Sequence, residues 1–159
     1  MTNKEIKIAY IEYDNINELV AKDKELAEAA ISATATAYAP YSKFNVGAAV
    51  LFDDGEIVKG SNQENAAYPS GICAERTALF YASASRPHKA MAALAIAASQ
   101  EGGLLETPVT PCGACRQVMA QYQLKSGIPM RILLVGAHKI WEFEKVDDLL
   151  PFTDRKSVV

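Results

Sequence analysis

Histidine is almost missing from this sequence, and cysteine is scarce: there are two of the first and three of the second. His88 and His138 stand far from any cluster of ligand-like residues and read as surface loop side chains. Three cysteines cannot all pair, which argues against a disulfide framework. A charge excess is missing as well, since 16 basic residues face 19 acidic ones for a formal charge of −3. A protein that tracks phosphates needs a basic face, so nucleic acid is not an expected partner. The longest uncharged apolar tract, 90–99, is far shorter than the roughly 20 residues that span a bilayer, and no membrane is expected either. The opening stretch, MTNKEIKIAYIEYDN, has no apolar run of signal-peptide length. Export is therefore not expected, and a cytoplasmic location is. Repeats, low-complexity tracts and Pro/Gly-rich linkers are absent too.

What remains is an ordinary globular composition. Half of the 159 residues are hydrophobic and 22% are charged, enough for one domain that buries roughly 70% of its unfolded surface. The pattern predicts a helix over 15–38, opened by an Asn15/Glu18 capping box and closed by Pro40. Strands follow at 46–52 and 56–60, around an Asp53-Asp54-Gly55 hairpin turn. A helix is expected over 73–83, then a strand over 91–98 whose nearly continuous apolar run implies cover on both faces, although its alanines are poor strand formers. Pro111 opens a second helix over 112–122. Strands at 130–135 and 139–143 and a helical turn over 146–150 complete the chain, with a mobile tail expected at each end. This order predicts an α/β domain whose sheet is covered by helices on both sides.

The chemistry-bearing residues are Cys73-Ala74-Glu75 and Pro111-Cys112-Gly113-Ala114-Cys115. Each group falls at a predicted helix start, where free N–H groups and the helix dipole favour thiolate over thiol. Three soft sulfur ligands select zinc, and three protein ligands leave the fourth tetrahedral position open for water. A closed structural zinc would want a fourth protein ligand, and no fourth cysteine exists. Taken alone, the Cys112/Cys115 spacing also fits redox chemistry; Cys73 and Glu75 at a matching second site argue for the metal. Three thiolates acidify a metal-held water less than neutral imidazoles would, so a separate carboxylate is needed, and Glu75 is placed to be it. Arg76 reads equally well as a solvated helix residue or as a guanidinium that partly neutralises the thiolates.

These motifs resemble the small cytidine deaminases of pyrimidine salvage. The matching blocks are Ala39-Pro40-Tyr41-Ser42-Lys43-Phe44-Asn45-Val46-Gly47-Ala48-Ala49, the run from Gly60 through Asn62-Gln63-Glu64-Asn65 to Cys73-Ala74-Glu75-Arg76-Thr77-Ala78, Thr110-Pro111-Cys112-Gly113-Ala114-Cys115-Arg116-Gln117-Val118, and Leu149-Leu150-Pro151. The resemblance implies a three-layer α/β/α domain over 22–159 with a mixed five-stranded sheet, preceded by a segment, 1–21, of unassigned role. It implies one Zn²⁺ per subunit on Cys73, Cys112 and Cys115, with Glu75 as the proton shuttle. Asn62 and Glu64 match residues that bond the ribose 3′-hydroxyl, and Phe44 matches an aromatic that packs on the pyrimidine. Ala66, Tyr68 and Ala74 are implied at the nucleoside as well, and Arg76 as a donor to the thiolates. A homotetramer with shared active sites is the implied assembly, and deamination of cytidine and 2′-deoxycytidine the implied reaction. Phe152 follows Pro151 directly, earlier than family members often place it, and the segment before Lys22 carries no family motif.

Overall fold

The computed structural model describes residues 1–154; the last five residues of the expected domain, 155–159, lie outside the described residues. Seven strands form one sheet: β1 (Ile11–Tyr13), β2 (Phe44–Phe52), β3 (Ile57–Ser61), β4 (Met91–Gln100), β5 (Gly103–Leu104), β6 (Arg131–Val135) and β7 (Ile140–Phe143). Their order across the sheet is β1-β7-β6-β4-β2-β3, with β5 pairing the end of β4. The β4–β6 pair is parallel and the others are antiparallel. Among the described residues three helices, α1 (Ala21–Ala33), α2 (Ala74–Ser85) and α3 (Gly113–Ser126), cover the sheet. The parallel pair needs a crossover, and α3 supplies it.

The core divides by face. On one side Val50, Leu94, Ile96, Ile132 and Leu134 pack with Ala78, Leu79, Cys115 and Met119 of α2 and α3. On the other, Ala49, Ala93, Ala95, Ala97 and Leu133 meet Leu26, Ala27 and Ala30 of α1. The class is therefore α/β/α with a mixed sheet, as expected, and β4 is buried on both faces. Its odd alanines have a reason: alternation places three of them beneath α1, where small side chains let the helix close on the sheet. Gly47 extends this; a Cβ there would lie 2.2 Å from the Ala30 carbonyl oxygen.

Three expectations need correction. The helical stretch 15–38 is three pieces: a single 3₁₀ turn Ile16–Glu18, then α1, then a 3₁₀ turn Thr34–Thr36. The capping signal is real but closes only the first turn, with Asn15 Oδ1 accepting from Asn17 N and Glu18 accepting from Asp14 N. Leu19 then turns into the core and Val20 is extended, which interrupts the helix. At the far end the Thr34 and Thr36 hydroxyls donate to carbonyls three residues back and tighten the chain. Among the described residues the sheet has seven strands rather than five. β5 follows a tight turn in which Glu101 and Gly102 both have positive φ, the hairpin geometry that suits twisted strands. Last, the N-terminal segment is not wholly a tail, because β1 pairs with β7 along the sheet edge. Arg131 anchors it from below, bonding Asp23 through two nitrogens and Glu142 through one, while Tyr13 donates to Glu142 at 2.7 Å. The expected turn at 146–150 is a short 3₁₀ turn, Val146–Asp148.

Candidate metal centre and nucleoside cleft

Cys73 and Cys112 are the residues immediately before α2 and α3, and neither spends its side chain on capping. Their backbones begin the helices instead: Cys73 O accepts from Thr77 N and Oγ1, and Cys112 O accepts from Arg116 N. Cys115 lies in the first turn of α3 and is fully buried. Since α2 and α3 pack on the same sheet face, their N-termini bring the three sulfurs within 4.8 Å of one another. A tetrahedral zinc with bonds of about 2.3 Å needs sulfurs roughly 4 Å apart, so the spacing fits.

Charge makes the same point. The Cys73 thiol is pushed down to about 5, first by a hydrogen bond from Cys115, with burial opposing and the Arg76 guanidinium helping. Cys115 is driven upward by that same bond and by burial. A divalent cation removes the conflict and lets all three sulfurs ionise. Arg76 Nη2 reaches Cys73 Sγ at 3.8 Å, which favours the neutralising reading over the solvated one. Its Nε is buried with no partner among the described residues.

Glu75, second in α2, is 5% exposed, and burial raises its carboxyl above the usual range, with the Cys73 charge adding to the effect. A carboxyl that is reluctant to ionise can both accept and return a proton near neutrality.

Beside the sulfurs opens a cleft of about 660 Å³. Asn62, Glu64, Ala66 and Tyr68 line it together with Cys73 and Arg76, so four of the six residues expected at the nucleoside share one wall. Phe44 and Ala74 stand outside that lining: Phe44 is half-buried at the start of β2, and Ala74 is fully buried as the first residue of α2. Tyr68 is 92% exposed. The Glu64 carboxylate accepts from Tyr41 N at 2.9 Å and Ser42 N at 3.3 Å, and is held low chiefly by the Ser42 hydroxyl. Asn62 lies against the β2 backbone, accepting from Val46 N and donating to Phe44 O. A larger cleft, about 740 Å³, lies along the C-terminal half of α3 and carries none of the cysteines.

Two residues carry more than the motif reading assigned them. Arg116 donates to Pro111 O and Leu149 O, tying the turn before Cys112 to the end of the chain. Gln117 holds Asp154 through two backbone bonds, while Phe152 between them and Pro151 stays exposed. Both Arg116 and Gln117 sit in a quoted block, but Leu149 and Asp154 lie over thirty positions away and leave no local trace.

A helix-flanked mixed sheet with three convergent thiols and a buried carboxyl defines a zinc-dependent enzyme with one metal per subunit. Residues 20–129 match the cytidine and deoxycytidylate deaminase zinc-binding region, and the chain belongs to that family. It is 47% identical to a cytidine deaminase of Sporosarcina psychrophila over 68% of this chain and 70% of the relative. A cytidine deaminase of Halalkalibacterium halodurans is 50% identical over 60% of this chain and 68% of its own. Among solved structures, the cytidine deaminase from Burkholderia pseudomallei superposes with a TM-score of 0.67 at 41% identity, over 82% of this chain and 97% of that one. The cytidine deaminase from Mycobacterium tuberculosis gives 0.66 at 33% identity, over 86% and 99%.

Proposed function

We propose that this chain hydrolyses cytidine and 2′-deoxycytidine to uridine and 2′-deoxyuridine with release of ammonia, as a step of pyrimidine salvage in the cytoplasm. The observation that carries the reading is one juxtaposition: three sulfurs at two helix N-termini, a buried Glu75 between them in sequence, and a cleft walled by Asn62 and Glu64. Cys73, Cys112 and Cys115 hold the zinc, which when bound supplies a Lewis acid that makes water a nucleophile near neutral pH.

The chain's own groups do the rest. Glu75 accepts a proton from the attacking water and passes it to N3 of the pyrimidine as oxygen bonds to C4. It then carries the remaining hydroxyl proton to the departing amino group, so water and cytidine become uridine and ammonia. Its raised affinity for a proton suits both directions. Arg76 offsets thiolate charge at Cys73. Glu64 keeps lone pairs for a sugar hydroxyl after accepting two backbone N–H groups, and Asn62 keeps one N–H. Contact through a 3′-hydroxyl does not separate ribose from deoxyribose, hence the dual specificity. Ala66 lines the cleft, and Phe44 and Ala74 are assigned to the base side from outside that lining.

The exposed Tyr68 side chain supports a homotetramer in which subunits complete one another's clefts. No helix among the described residues is long and apolar enough to cross a membrane. The deciding experiment measures zinc in the purified protein and follows cytidine and deoxycytidine by ultraviolet absorbance in the same sample. About one zinc per chain with conversion of both is expected. Zinc without turnover of either nucleoside would reject the substrate, and folded, zinc-free protein with intact thiols would reject the chemistry.

A further inference from the structure

Strand β3 leaves β2 at the cleft, and one side chain takes over the bonds it drops. The register that sets Gly47 against Ser61 would next set Val46 against Asn62 and Phe44 against Glu64. In an antiparallel ladder, bonded and unbonded pairs alternate. Phe52 N donates to Glu56 O and Asn62 N to Val46 O, so Val46/Asn62 and Phe44/Glu64 are both bonded positions in this register. Neither pair is completed by backbone. Asn62 O instead accepts from Tyr38 N at 2.9 Å, and Glu64 N donates to Tyr38 O at 2.8 Å. Gln63 between them exchanges two bonds with Ile72, the residue before Cys73. Asn62, Gln63 and Glu64 have thus turned away from β2, and all three line the cleft.

A strand that peels away leaves its neighbour with unmet N–H and C=O groups. The Asn62 side chain meets them. Its Oδ1 accepts from Val46 N at 2.8 Å in place of its own carbonyl, and its Nδ2 donates to Phe44 O at 2.9 Å in place of the Glu64 N–H. A carboxamide carries the same donor and acceptor types as a peptide group, so this residue can stand in for a strand. Phe44 depends on the substitution. It lies opposite Gln100 of β4, but its own N–H and C=O point the other way, to Ser42 Oγ and to Asn62.

We infer that Asn62 is the positioning residue for Phe44: its amide replaces the departed strand on that edge of β2 and so fixes the base side of the cleft, apart from any bond it gives the sugar. This rests on the reading above, in which Phe44 takes the base. One side chain then serves both halves of the nucleoside, with one N–H on the Phe44 carbonyl and the other for the sugar hydroxyl. Loss of the amide should loosen Val46 N and Phe44 O together, and should weaken binding even of a base that carries no sugar.

Asn62→Ala and Asn62→Asp, each loaded with zinc, test it against the parent. Aspartate keeps an oxygen for Val46 N but has no N–H for Phe44 O. Amide hydrogen exchange without nucleoside reads the first bond. Val46 should exchange at least about tenfold faster in Asn62→Ala and stay protected in Asn62→Asp, with Ala48, inside the β2–β3 ladder, unchanged in both. Fluorine spectra of protein carrying fluorophenylalanine read the second: of the five phenylalanine signals, that of Phe44 should shift in both variants. Inhibition of cytidine turnover by cytosine reads the base side alone, and its inhibition constant should rise about fivefold in both. Parental exchange at Val46 in Asn62→Ala, or an unmoved Phe44 signal in both variants, overturns the inference. So does a parental inhibition constant for cytosine, which would leave Asn62 a contact for the sugar alone. Faster Val46 exchange and a shifted Phe44 in a protein that leaves cytidine untouched uphold the inference and sink the substrate assignment alone.

Discussion

Two helices approach the β2–β3 hairpin from opposite sides, each across a glycine, and they do different work. On the α1 side, a Cβ on Gly47 would lie 2.2 Å from the Ala30 carbonyl oxygen; on the α2 side, a Cβ on Gly60 would lie 2.5 Å from Ala78 N. The packing device is the same. Yet α1 presents Leu26, Ala27 and Ala30 to the sheet, holds Arg131 through Asp23 and carries none of the site's groups, while α2 starts just after Cys73 and carries Glu75 in its first turn. One face is a seal and the other is a mount. The lesson is that close packing serves stability on one side and alignment on the other, and substitution can tell the two apart.

Glu75→Gln should give the largest effect. It removes the proton carrier while keeping shape and zinc, so kcat should fall at least a hundredfold with little change in melting temperature. Near-normal turnover would take Glu75 out of the reaction. Gly60→Ala comes next. The added methyl has to push α2, so kcat should drop roughly tenfold or more together with a loss of stability, read from turnover and thermal melting of one preparation. Gly47→Ala meets an even shorter contact, with backbone atoms that cannot step aside, and should cost about 3 kcal/mol in urea unfolding. Below its melting transition, though, it should hold full zinc and parental kcat. A Gly47 variant whose kcat fell as far as the Gly60 variant's would erase the distinction between the faces.

The smallest effect is expected at Tyr13, which packs on the α1 side. Its phenol donates to Glu142, and this bond raises its pKa to about 12 from the ordinary 10. A raised pKa means the folded state favours the protonated phenol. The stabilisation is therefore complete below pH 10 and fades as pH rises through 12. Tyr13→Phe should lose about 1 kcal/mol at neutral pH, with the gap closing across that alkaline window. A difference that persisted unchanged above pH 12 would assign the loss to packing.

Much of this was legible in the residues themselves. Cys73, Cys112 and Cys115 were readable as one site because helix starts and soft ligands leave few alternatives, and the Asp53-Asp54-Gly55 turn marked its hairpin locally. The β4 alanines were legible as an anomaly only, since their reason is a helix sixty positions upstream in the chain. The Asn15 cap was read correctly and extended too far, because nothing near Leu19 announces that the core needs its side chain. Ser42 lay inside a quoted motif, but its N–H donates to the carboxylate of Glu64, twenty-two positions away. β1 left no mark at all: its pairing partner lies at the other end of the sequence.

That last distance has a consequence for how the protein is made. Glu12 and Trp141, which join across the β1–β7 seam, are 129 positions apart. During synthesis β1 waits for nearly every other described element before its partner exists, and it is the last to pair. Meanwhile Ile6, Ile8 and Tyr10, about half exposed even after docking, have only solvent to face. The β7 edge, once formed, stays an open template until β1 arrives. The seam therefore closes late in folding and opens early in unfolding, making the β1–β7 edge the point where a young or heated chain meets its neighbours.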